Sequence, residues 1–169
     1  MKELITLLIC ILSTLCTAQS NKTESKTKSS FESKIRLGLP IGHTESIEEI
    51  NFSPDERFLV TASEDKQVII WDIKTGKQVR VLTGHKFGAT SAKFSQNGKF
   101  VISTSIDGTV KFWDTYSGKE ISSFNHPGTV FSANISPNNQ YLVCSYYNDN
   151  KKIEGCVWDI EKRKILYTI

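Results

Sequence analysis

No block of like charges interrupts this chain, and a formal charge of +3 is too small to argue for a nucleic-acid partner. No apolar run is long enough to span a bilayer as a helix. Leu4 to Leu15 offers about a dozen residues where about twenty are needed. No segment sustains a helical apolar period, which leaves strands as the regular structure. Histidine and tryptophan are scarce, at three each, so acid–base chemistry has few candidates. Of four cysteines, Cys10 and Cys16 fall in the first sixteen residues, and the other two, Cys144 and Cys156, cannot found a disulfide scaffold and make one bridge at best.

What is present begins with an export signal. Lys2 gives a positive start, weakened by Glu3, and the apolar run ends at Cys16-Thr17-Ala18, with small residues placed for a signal peptidase. The expected cut follows Ala18 and leaves a secreted or periplasmic chain with no membrane span. Cys10 follows Ile9 and Cys16 follows Leu15, so neither has the small preceding residue of a lipid-anchor box. Residues 19–33 (QSNKTESKTKSSFES) are too polar to fold and read as a flexible spacer.

From residue 34 the sequence repeats. His43, His85 and His126 stand 42 and 41 residues apart, and Trp71, Trp113 and Trp158 stand 42 and 45 apart, each followed by Asp. A period near forty residues marks a propeller or solenoid array. Each period holds four short strands. In the second they run Ala89 to Ser95, Phe100 to Ser105, Val110 to Asp114 and Glu120 to Phe124, with turns at Gln96-Asn97-Gly98, Asp107-Gly108 and Ser117-Gly118. The fold class is all-β.

These residues resemble the WD-repeat family: Gly42-His43 and Gly84-His85 match its Gly-His dipeptide. Phe52-Ser53-Pro54-Asp55 and the run from Ser103 to Asp114 match its strand and turn signatures. The resemblance covers residues 34–169 as repeats at about 43–84, 85–125 and 126–169, and implies three four-stranded antiparallel blades. It also implies a hydrogen-bonded chain in each blade, formed by His43, Thr61, Asp65 and Trp71, then by His85, Ser103, Asp107 and Trp113. The third repeat keeps His126 and Trp158 but has Cys144 in place of the hydroxyl and Asn148 in place of the Asp. Three extra residues lengthen its hairpin.

Three blades are too few for a ring, since propellers use four to eight. The expectation is an open arc, part of a longer propeller or self-associating through its blade edges.

The three His hold structural posts on successive blades, so no metal site, catalytic triad or cofactor is expected. Cys144, placed opposite Trp158, has no catalytic partner. Cys156 is then diagonal to Cys144, a poor geometry for a disulfide, but the extra hairpin residues could shift that register, so Cys144 and Cys156 stand as a possible disulfide. The resemblance puts binding on the narrow face, in the loops between blades and in the turns before the structural Asp. Those positions carry Glu48, Glu64, Phe87, Ile106, Phe131 and Tyr147. The expected function is an exported interaction module for a protein or peptide. The alternative is a regulatory or targeting segment of a larger exported enzyme whose catalytic domain lies outside this chain.

Overall fold

The computed structural model describes residues 42–148 and 150–169. The export signal and the spacer expected over residues 1–33 lie outside these residues. Twelve strands follow one another: β1 (Ile47–Phe52), β2 (Phe58–Ser63), β3 (Gln67–Asp72), β4 (Lys77–Thr83), β5 (Ala89–Phe94), β6 (Phe100–Ser105), β7 (Thr109–Asp114), β8 (Glu120–Asn125), β9 (Val130–Ile135), β10 (Tyr141–Tyr147), β11 (Ile153–Asp159) and β12 (Lys164–Thr168). They form three antiparallel sheets of four, β1–β4, β5–β8 and β9–β12, each in sequence order.

The same turn chemistry sets the strand ends in every blade. Ser53, Ser95 and Ser136 cap the turn after the inner strand, donating to Asp55, Asn97 and Asn138 and accepting from Phe58 N, Phe100 N and Tyr141 N. The Asp after each Trp closes the next turn: Asp72, Asp114 and Asp159 accept backbone N–H bonds from Thr75, Ser117 and Lys162 at 2.7–2.9 Å. Gly76 and Gly118 fill the left-handed position there, with φ of 66° and 73°.

The core lies between blades. β1 and β2 pack on β5, and β5 and β6 pack on β9. Val60, Ala62, Ile70 and Leu82 of the first sheet meet Ala89, Ala92, Val101 and Trp113 of the second. Ile102, Phe112 and Phe124 of the second meet Val130, Leu142, Cys144 and Cys156 of the third. Because β6 is covered on both faces, five of its six residues are buried. β10 alternates instead, burying Leu142, Cys144 and Tyr146 while Tyr141, Val143 and Tyr147 are exposed. The three blades form an open arc, with Tyr141, Val143 and Tyr147 exposed on β10 of the third blade.

The register corrects two expectations. Cys144 pairs with Cys156, and Trp158 pairs with Leu142. Trp71 and Trp113 likewise face Leu59 and Val101 rather than the hydroxyl residue. The third hairpin is also longer by four residues, not three: Thr61 pairs with Ile69 and Ser103 with Lys111, eight apart, while Cys144 and Cys156 are twelve apart. The even number follows from strand geometry, since an odd insertion would turn every following side chain to the opposite face.

Candidate functional site

Each of the first two blades is held by one buried network. In the first, His43 Nε2 lies 2.6 Å from Thr61 Oγ1 and Nδ1 lies 2.9 Å from Asp65 Oδ2. Trp71 Nε1 donates to the same hydroxyl at 2.9 Å. In the second, His85 reaches Ser103 Oγ at 2.7 Å and Asp107 Oδ2 at 3.2 Å, and Trp113 Nε1 donates to Ser103 at 2.8 Å. The indole bond is diagonal across the hairpin, which is how a Trp two positions beyond the hydroxyl's partner still reaches it. Asp107 also accepts from Lys86 N, Thr109 N and Thr109 Oγ1. Burial pushes its carboxyl up, but the hydrogen bonds from His85, Thr109 and Lys86 outweigh burial and hold it well below the usual carboxylate range. Asp65 is shifted down in the same balance.

The third blade has a different centre. His126 Nε2 lies 3.4 Å from Cys144 Sγ and Nδ1 lies 3.9 Å from Cys156 Sγ, and the two sulfurs are 3.1 Å apart. The contacts of Cys144 with His126 and Cys156 were hidden by the expected register, which set Cys144 opposite Trp158. Both thiols are buried. The Trp158 ring packs edge-on against His126 at 5.4 Å, and its buried Nε1 finds no oxygen or nitrogen acceptor, interacting only weakly with the two sulfurs. Asn148 caps its own turn through Asn150 N and Lys152 N and donates to Glu154. The network of the other blades is thus broken at the hydroxyl.

The loop leading into each blade is latched to the turn before the structural Asp or Asn. Glu64 N donates to Ser46 O, Ile106 N to Gly88 O and Tyr147 N to Thr129 O, at 2.9–3.0 Å. Ser105 Oγ adds a bond to Phe87 O. Of the six residues proposed for binding, Glu64, Ile106 and Tyr147 make these latches and Phe87 accepts one, whereas Glu48 and Phe131 lie within β1 and β9 rather than in the loops expected for them. Glu48 and Glu64 are exposed. Phe87 is 58% and Ile106 49% exposed, although both are large and apolar. Phe131 and Tyr147 stack edge to face at 4.7 Å, so that pair is partly internal. Gly88 joins two blades, since a Cβ there would lie 3.1 Å from Glu64 Cα and 3.4 Å from Ile106 Cδ1.

Sequence reasoning missed the polar lining of the inner strands. Lys93 on β5 donates to Ser132 and Asn134 on β9 and lies 3.6 Å from Glu49 on β1. The signal was the alternation of these residues with the apolar core positions of the same strands.

Part of the chain, 40% identical over 58 residues, is similar to WD repeat and SOCS box-containing protein 1 of Homo sapiens; the match covers 33% of this chain and 14% of that protein. It is 48% identical over 40 residues to the general transcriptional corepressor TUP1 of Saccharomyces cerevisiae, covering 24% of this chain and 6% of that one. It is 35% identical over 75 residues to the lysosomal-trafficking regulator of Homo sapiens, covering 44% and 2%. The matched stretch is in each case a small part of a much longer relative. The family described as WD domain, G-beta repeat matches three times, at residues 35–72, 76–114 and 118–153. With blades, turns and family match in agreement over most of its length, the chain belongs to the WD40-repeat family.

Proposed function

We propose that this chain is an exported, non-catalytic interaction module that binds a protein or peptide on its loop face. The observation that carries the reading is the pair Phe87 and Ile106. They stand on two different loops, are about half exposed, and are fixed by backbone latches. Apolar side chains held open in this way lose little conformational freedom when covered, so burial contributes directly to affinity. Glu64, which meets Ile106 across Gly88, supplies negative charge beside them and favours a partner with basic residues around an apolar anchor. Membership of a repeat family whose relatives are multi-part proteins supports a scaffold role. The leader-like residues 1–18 support export, and N-terminal sequencing of secreted material tests it; recovery of cytosolic chain beginning at Met1 would overturn it.

Selection from a displayed peptide library followed by titration tests the binding face. The expected result is that Phe87→Ser with Ile106→Ser weakens a selected peptide at least tenfold while the thermal midpoint stays nearly constant. Retained binding with lost stability would show that both side chains serve packing alone.

A further inference from the structure

The sulfur cluster of the third blade takes the place of a hydrogen bond that ties two strands together. In the first two blades the bond from Trp to hydroxyl joins the second strand to the third: Trp71 to Thr61, and Trp113 to Ser103. In the third blade that bond is lost, because position 144 has a thiol and Trp158 Nε1 is left without an oxygen acceptor. Two sulfurs lie instead between the same two strands, β10 and β11, on residues directly opposite each other.

We propose that Cys144 and Cys156 are a disulfide site, closed by thiol–disulfide exchange with a small-molecule disulfide, which ties β10 to β11 covalently where the other blades use a hydrogen bond. Directly opposed residues of antiparallel strands have Cα atoms about 4.5–5.5 Å apart, inside the span that a bridge requires. The side chains share one face, and the sulfurs, at 3.1 Å, need about one further ångström to bond. In the exchange, one of the two cysteines, as the thiolate, attacks a sulfur of the external disulfide and expels one thiolate. The other gives up its proton, attacks the chain's sulfur in the mixed disulfide and expels the second thiolate. The chain loses two hydrogens and the external disulfide becomes two thiols.

In the folded chain the two thiols differ in their surroundings, with His126 3.4 Å from Cys144 and 3.9 Å from Cys156. The hydrogen bond from the Cys144 thiol holds Cys156 below the ordinary thiol range; burial opposes this, and His126 adds to it. The same hydrogen bond, with burial, pushes Cys144 up. Tyr146 and Glu154 are the other titratable groups on the hairpin beside the cluster, bonded to each other at 3.1 Å. Both thiols are buried, so exchange belongs to the folding chain. The proposal rests on register and distance and is independent of the binding role.

The full chain is refolded in a buffer of reduced and oxidised glutathione, alkylated without reduction, digested and weighed. The expected product is a linked peptide pair carrying Cys144 and Cys156, about 2 Da lighter than the two thiol peptides together and separated by reduction. The oxidised chain should also melt several degrees above the reduced one, a difference that Cys156→Ala abolishes. Alkylation of both thiols without reduction would overturn the proposal, as would linkage of either residue only to Cys10, Cys16 or a second chain. Protection of both without a linked pair, together with an ion released by acid, would overturn it in favour of a His126–Cys144–Cys156 metal centre.

Discussion

Replacing Asp107 by Ala removes the most connected member of the second network. Its Oδ2 accepts from Lys86 N at 2.7 Å and His85 Nδ1 at 3.2 Å, and its Oδ1 from Thr109 N at 2.9 Å and Thr109 Oγ1 at 2.6 Å. The Lys86 bond is exposed, so water can replace that acceptor. His85 is buried, and its Nδ1 keeps only the Thr109 hydroxyl at 3.1 Å. A buried donor left without a full partner costs ~1–3 kcal/mol. At a urea slope of about 2 kcal/mol/M, the unfolding midpoint falls by roughly 0.5–1.5 M. Asn148→Ala is the matched comparison. That side chain caps an exposed turn through Asn150 N and Lys152 N and donates to Glu154, but His126 is not bonded to it in the described structure. Its loss should cost under about 1 kcal/mol, the scale of an exposed turn bond. Urea unfolding of the two variants, at unchanged slope, decides the matter. Equal midpoint shifts would refute the reasoning that His85 depends on Asp107.

The lowered pKa of Asp107 also sets a sign for acid sensitivity: its contribution is complete above the unfolded value near 3.9 and is lost as pH falls below it. Asp107→Asn should therefore flatten the decline of stability below about pH 4, and an unaltered decline in urea midpoints would contradict this. Trp113→Phe should cost about 1 kcal/mol more than Trp158→Phe, because Trp113 loses a hydrogen bond to a hydroxyl while Trp158 has only a weak interaction with two sulfurs; calorimetry showing equal losses would count against the broken third network. Gly108→Ala should destabilise more than Gly76→Ala. Both have positive φ, but a Cβ at 108 meets His126 O at 2.8 Å while a Cβ at 76 meets nothing. Equal thermal midpoints for these two variants would oppose that.

Much of the architecture was legible because each repeat carries its own punctuation. Ser53-Pro54-Asp55, Gln96-Asn97-Gly98 and Ser117-Gly118 mark turns by local chemistry, and the strand from Phe100 to Ser105 has the bounds read from the sequence. Register was not legible. A hydrogen bond between Trp and hydroxyl suggests that the two stand opposite, whereas the indole reaches diagonally past one pair of positions. That displacement concealed the pairing of Cys144 with Cys156. Phe87 and Ile106 do lie in a loop and a turn, as the repeat spacing places them, while Glu48 and Phe131 fall within β1 and β9. The stacking of Phe131 on Tyr147 was not legible, because that contact depends on latch geometry that repeat spacing does not encode.

The central claim is that the loop face is where this scaffold meets its partner. Backbone amide chemical-shift mapping with a library-selected peptide tests it most directly. The account predicts that the perturbed amides cluster at Glu64, Phe87, Gly88, Ile106 and Tyr147. Perturbations confined to the opposite turns, around Asp55, Asn97 and Asn138, would contradict it.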